Sequence, residues 1–233
     1  MNYIIWNGKD SREIKGLIIS ELPPITKPNM RVKETVIDGV DGSIIEELGY
    51  ESYDRTMAIG LTSGANLDEV MGYFIGNGEV VFSNEPDKYY IARIIKGIDY
   101  QRLLRYRVAK VTFRVQPFKY NRVEVAREAT SDRTRMIVEN LGNYTAKPII
   151  AITGSGTVKL SVNDTPICTY TFPNNESSVV LDSEKQDAYL NSITDLKNRN
   201  MNGDFPILPK GNNTISWVGT VTNIRITKYS RWL

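Results

Sequence analysis

The chain has 233 residues, enough for one large β domain or two of ordinary size. At 41% apolar and 24% charged residues its composition excludes a disordered chain, and 29 basic against 27 acidic residues leave no strong field to favour nucleic acid or an acidic membrane. With no histidine it lacks Ser-His-Asp and Cys-His arrangements and every His-containing zinc site, and a single cysteine, Cys168, allows no internal disulfide framework.

The opening, "MNYIIWNGKD", has neither the charged start nor the apolar stretch of a signal peptide. No apolar run approaches the roughly 18 residues that cross a bilayer. The expectation is a chain made and folded in a cytoplasm, with no membrane partner.

Turn residues punctuate the chain at short intervals. "VIDGVDGSIIEEL" reads as a tight glycine-rich turn between two strands. "DRTMAIGL" then places Met57, Ile59 and Leu61 on one face and Thr56, Ala58 and Gly60 on the other, the period of a half-buried antiparallel strand. "NLDEVMGYFIGNGEVVF" breaks that rule. Leu67, Val70, Met71 and Phe74 recur at helical spacing behind Asn66 as N-cap, and Gly76 with Asn77-Gly78 stops the helix before a strand from Glu79 to Phe82. In "AKVTFRVQP", Ala109, Val111, Phe113 and Val115 face inward, and Pro117 ends the ladder by removing a donor.

Residues 121–135 are rich in charge and poor in apolar side chains, as in a linker or a crossing between sheets. Beyond them "TGSGT", Thr153 to Thr157, reads as a hairpin turn. "TVKLSVN" alternates Val158, Leu160 and Val162 against Lys159 and Ser161. "PICTYTF" sets Cys168, Tyr170 and Phe172 on one face. In "GDFPILPKGNNTI" Pro209 suits the second position of a turn and Gly211 relaxes the exit into a strand from Thr214. "TNIRITKY" closes the pattern with Ile224 and Ile226. The chain is therefore mainly β, in two domains: residues 1–128 with one short helix, and residues 129–233 as a β-sandwich.

No reactive centre emerges. Cys168 shares a strand face with Tyr170 and Phe172 and reads as a buried, inert thiol. Asp38, Asp41, Glu46 and Glu47 lack the spacing of an EF-hand loop, and "TGSGT" lacks the Lys-Ser/Thr of a phosphate-binding loop. The expectation is no catalytic residue, no metal and no cofactor. Trp217, Trp232, Tyr170 and Tyr229 could form a stacking platform for sugars, which keeps a monomeric carbohydrate-binding β-sandwich module as the alternative.

"GDFPILPKGNNTISW" with the final "YSRWL" resembles the C-terminal region of siphophage distal tail proteins. Phe205, Pro206, Leu208, Pro209, Gly211, Asn213 and Ile215 occupy the positions of that pattern, and Trp232 that of the aromatic near its end. "ETVIDGVDGSIIEELGYESYDRTMAI" is similar to the family's N-terminal strand pair, with Gly39, Asp41 and Gly42 on its turn. "DKYYIARI" and "YRVAKVTFRVQPF" resemble the end of its first domain, and "VENLGNYTAKPIIAITGSGTVKLSVN" the start of its second, at Asn140, Gly142, Pro148 and Gly154.

The resemblance implies a β-sandwich-like belt domain that builds a homohexameric hub ring, followed by a galectin-like β-sandwich. It implies a structural role without catalysis, in a virion, with the tail tube protein and tail-tip or receptor-binding proteins as partners and DNA passing through the lumen. Ring closure needs a heterologous interface, and a hairpin arm is an economical way to build one. The candidate arm is residues 31–50, with Val36, Ile37, Asp38, Gly39, Asp41, Gly42, Ile44 and Ile45 around its tip; an ordinary internal hairpin fits the same residues. A chain of this length has no room for a carbohydrate-binding insertion, so host sugar recognition would fall to a partner.

Overall fold

Period-2 alternation carries through to the backbone, which is mainly β. A computed structural model describes residues 1–233, and they divide into two units, Met1–Arg122 with Leu233, and Val123–Trp232. The first unit runs β1 (Ile4–Trp6), β2 (Lys9–Asp10), β3 (Leu17–Glu21), β4 (Met30–Val36), β5 (Ser43–Tyr50), β6 (Tyr53–Leu61), α1 (Leu67–Tyr73), β7 (Asn77–Phe82), β8 (Lys88–Ile94), α2 (Tyr100–Tyr106) and β9 (Val108–Asn121). The second runs β10 (Arg127–Thr130), β11 (Arg135–Asn140), β12 (Ile149–Val162), β13 (Thr165–Thr171), β14 (Ser178–Asp182), β15 (Asp187–Tyr189), β16 (Met201–Gly203), β17 (Gly211–Thr227) and β18 (Arg231–Trp232).

In the first unit the strands pair in the order β2-β1-β7-β8-β9-β6-β3. Met57, Ile59, Ala109, Val111, Phe113 and Val115 are buried as their alternation requires, and Trp6 and Phe82 meet the Phe113 ring edge-on. α1 forms behind its cap: the Asn66 side chain accepts from the Asp68 and Glu69 backbone N–H groups, a contribution of about 1 kcal/mol. Its buried residues are Val70 and Tyr73, while Met71 is exposed.

Three expectations change here. A second helix, α2, joins the one expected. Leu103 is its single buried residue, too little to set up a helical period, and its cues are local: Asp99 caps Arg102 N–H and Arg107 closes it at φ 59°. Pro117 does not end its strand. β9 runs on to Asn121, and the register against β8 slips between Tyr90 and Ala92, so Pro117 sits where the ladder already lacks a bond. β7 begins at Asn77, opposite Arg93, and not after an Asn-Gly turn.

The second unit is organised by β12 and β17, strands of 14 and 17 residues. The first half of β12, residues 149–153, pairs with β14 on one side and with residues 223–227 of β17 on the other; β10 flanks that end of β17. The second half of β12, residues 157–162, pairs with β13 and with residues 215–218 of β17; β11 flanks that end. The two half-sheets share one core that contains Ile150, Ile152, Leu160, Tyr170, Trp217 and Ile224, which makes a β-sandwich from a pair of bent strands.

"TGSGT" is the bend of β12, and not a hairpin turn. The register slips at Gly154 and again after Ser155. The turn between β12 and β13 is Asn163-Asp164, with φ 50° and 63°, the left-handed pair that tight hairpins prefer. Residues 127–130 of the expected linker form β10, because Ala129 is buried beside Ile224.

Both strands bend on glycine. Gly219 sits at φ +121°, and a Cβ there would lie 2.3 Å from the Thr157 carbonyl oxygen. Gly156, at φ +67°, has open space around the same position. Gly219→Ala should therefore cost about 2–4 kcal/mol, because backbone strain and a backbone clash add, whereas Gly156→Ala should cost about 1–2 kcal/mol. Thermal unfolding followed by circular dichroism checks this; equal losses would contradict the bend geometry.

Candidate functional site

β4 and β5 form a two-stranded sheet of their own. Every residue from Asn29 to Gly49 is exposed, in contrast to the alternating burial of the strands around them. The register pairs Val36 with Ser43, Thr35 with Ile44, Glu34 with Ile45 and Lys33 with Glu46. Ile37 to Gly42 connect the strands, with Gly39 and Gly42 at φ +81° and +89°. The expected turn between two strands is thus in place, with Asp38 and Asp41 at its tip.

The exposed apolar side chains are the unusual part. Val36 is 70% exposed, and Ile44 and Ile45 are each 60% exposed, with Val32, Ile37, Val40 and Leu48 also open to solvent. One face of the ribbon carries Val32, Val36 and Ile45 with Glu34 and Glu47; the other carries Ile44 and Leu48 with Arg31, Lys33 and Glu46. An isolated two-stranded ribbon is marginal in water, and branched side chains open to solvent on both of its faces add to that exposure.

The base of the hairpin is held firmly. Glu51 N–H donates to the Asn29 carbonyl at 3.0 Å and the Asn29 amide donates to the Glu51 carboxylate at 2.9 Å. The Tyr50 ring meets Phe118 edge-on at 6.0 Å. Below this, Arg55 is 1% exposed and donates to the carbonyl oxygens of Pro23 and Pro24. Its guanidinium lies over the Phe82 and Tyr90 rings, 4.8 and 4.6 Å from their centroids. Glu85 faces Arg55 at 3.4 Å, accepts from the Tyr90 hydroxyl at 2.6 Å and pairs with Lys119. Asn84 also donates to the Pro23 carbonyl. The approach to the hairpin is thereby tied to β6 and to the β7–β8 turn. Sequence reading missed this anchor, although a signal was present: Arg55 shares the inward parity of Met57 and Ile59, so a charge sits on the core face.

The stretch from Phe205 to Asn213 forms a polar-locked corner. Leu208 is fully buried, and its N–H and C=O exchange bonds with Ala146. Phe205 packs on the core and Pro206 is buried, while Pro209 is exposed. The buried Asn213 amide donates to the Pro209 and Gly211 carbonyls at 2.9 Å each and accepts from Asn163; the Asn140 amide donates to Tyr144, Leu208 and Pro209. Gly211, at φ +91°, then enters β17. Trp232 is half-buried in β18.

Cys168 is buried, and burial, with Asp204 nearby, pushes its thiol up to about 11. Trp217 and Tyr170 lie in the core at 3% and 1% exposure, so two of the four aromatics considered for sugar stacking are not on the surface. No three His, Cys, Asp or Glu side chains converge as a metal site, and no helix is long and apolar enough to cross a membrane.

No protein-family model matches the sequence, and no curated protein is significantly similar to it. Among solved structures, the chain is similar to SPP1 Dit, described as a paradigm of the hub adsorption apparatus in phages infecting Gram-positive bacteria. The TM-score is 0.70 at 16% identity, over 98% of this chain and 99% of that one. More distant is the phage P2 baseplate in its activated conformation, with TM-scores of 0.47 for the calcium form and 0.49 for the strontium form, each at 7% identity. At these identities the likeness establishes a Dit-like fold.

The anchor gives a pH dependence. Burial opposes the charge on Glu85, but hydrogen bonds from Lys119 and Tyr90 and the charges of Lys119 and Arg55 outweigh it and hold the carboxyl below its ordinary 4.5. A depressed folded-state value contributes stability above the unfolded value and loses it as pH falls through the folded one. Thermal stability should therefore decline as pH drops below 4.5. Glu85→Gln should cost about 3 kcal/mol at neutral pH and flatten that acid limb. A variant with the full acid limb of the parent would contradict the role of Glu85.

Proposed function

We propose that this chain is a phage distal tail protein, a structural subunit of the hub that joins the tail tube to the adsorption apparatus. One observation carries the reading: the SPP1 Dit fold extends over both units, 98% of the chain. The residues that resemble the family lie in the hairpin of β4 and β5 and in the polar corner before β17.

In this reading six copies close a ring. The first unit, ending at Arg122, builds the belt and stacks on the tail tube protein. The galectin-like second unit, Val123–Trp232, docks tail-tip or receptor-binding proteins. DNA passes through the central channel, the protein resides in the virion after synthesis in the host cytoplasm, and the role needs neither catalysis nor a cofactor. The hairpin of β4 and β5 is the arm: Val36, Ile37, Ile44 and Ile45 find cover on the next copy, with Asp38, Gly39, Asp41 and Gly42 shaping the tip. A heterologous contact of this kind closes a ring when its rotation divides the circle.

Six chains of 26.4 kDa give about 158 kDa, the mass expected by light scattering for a closed ring. Replacing residues 34–45 with Asn-Gly, between the paired Lys33 and Glu46, keeps the base of the hairpin and removes its distal part. That variant should be folded and monomeric. A variant that still has the six-chain mass would overturn the arm.

A further inference from the structure

The near-neutral total charge conceals two local surfaces of opposite sign. Residues 34–47, the distal part of the hairpin, contain five acidic residues and no basic one. Residues 93–114, from β8 through α2 into β9, contain seven basic residues and one acidic one. Both surfaces are exposed, and each is only partly neutralised within the chain. Asp38, Asp41 and Glu47 make no ion pair, and Glu46 reaches only Lys33, at 3.8 Å between exposed side chains. On the basic side Asp54 takes up Lys96 and Arg114. Arg93, Arg102, Arg105, Arg107 and Lys110 have no acidic partner.

Four of the basic residues share one surface. Lys110 and Arg114 lie on the outward parity of β9, and Arg93 stands directly opposite Arg114 in the register, so the three project from the same sheet face. Arg102 and Lys110 line one cleft of about 390 Å³ with Asp99, Val108, Ala58 and Gly97, so two cations there face one carboxylate. Two cations opposed across a ladder repel, and nothing in the core requires them there. Val108 in that cleft is 45% exposed, and Leu104 and Tyr106 of α2 are 50% and 62% exposed. The surface thus offers cations flanked by apolar side chains, and the hairpin offers carboxylates flanked by Val36, Ile44 and Ile45.

We propose that the surface formed by α2 and the outward face of β8 and β9 is the acceptor for the hairpin of a second copy of this chain. The inference rests on the ring reading and names the surface that the arm docks on. Carboxylates at the tip and on the Val32–Val36–Ile45 face meet Arg93, Arg102 and Lys110, while the exposed aliphatics of both sides are removed from water. Opposite charge sets the register and excludes arm-to-arm and face-to-face contacts, and apolar burial supplies the affinity.

The experiment uses two full-length variants. Asp38→Lys/Asp41→Lys/Glu47→Lys reverses the arm, and Arg93→Glu/Arg102→Glu/Lys110→Glu reverses the acceptor. Each alone should be folded by circular dichroism and monomeric by light scattering, because its arm and acceptor now carry like charge. Mixed in equal amounts, they should regain the wild-type ring mass, since each arm meets an acceptor of opposite sign. A mixture that stays monomeric while wild type forms rings overturns the inference and leaves the ring reading standing. So does an acceptor variant that closes its ring alone but loses retention of duplex DNA, which would assign the basic face to nucleic acid. A wild-type chain that is monomeric at every concentration overturns both.

Discussion

The constraint on which the structure depends is water around the hairpin. A ribbon of two strands that exposes Val32, Val36, Ile44, Ile45 and Leu48 gains nothing from its own fold to offset the ordering of its backbone. Nothing within the chain covers those side chains. The investment is made at its base instead. Arg55 is buried under two aromatic rings to hold the Pro23 and Pro24 carbonyls, and Glu85 and Lys119 complete the network. A buried guanidinium is costly unless fully paired, and its Nε has no partner, so apolar packing of the same volume would serve stability at least as well. What the charge supplies is direction: it fixes where the chain leaves the sheet and where the hairpin starts.

The second unit is stabilised differently. It builds its sandwich from two bent strands with their own core, independent of the core around Phe113. Bending at Gly154, Gly156 and Gly219 lets β12 and β17 serve both layers, so the layers cannot slide past one another without breaking continuous strands. The Asn140 and Asn213 amides lock the segment that leads into β17, which is why a stretch rich in proline and glycine is ordered.

Much of the fold was legible because one face of each strand is buried. Met57 and Ile59, Ala109, Val111, Phe113 and Val115, Val158, Leu160 and Val162, and Cys168, Tyr170 and Phe172 all lie inward as their spacing requires. α1 was legible from Asn66 and its spacing, and the tip of the hairpin from its glycines. The failures share a cause: they depend on partners distant in sequence. Pro117 is tolerated because β8 slips register opposite it, and "TGSGT" bends because β17 bends beside it. α2 buries only Leu103 and has no period to detect. For the site, the sequence supplied the hairpin but not its exposure, since Ile44 and Ile45 read the same whether a core or a neighbour covers them. The basic surface was hidden by summing charge over the whole chain. Counting charge by segment separates residues 34–47 from residues 93–114.

The central claim is that the hairpin is completed by a second copy of the chain. Hydrogen exchange of the backbone amides in Met30–Tyr50, followed from dilute to concentrated protein, tests it most directly. The account predicts that these amides, fast-exchanging in the monomer, become strongly protected as mass rises to that of a ring, with α2 and β9 protected in parallel. Rings whose hairpin amides exchange as fast as those of the monomer would contradict it.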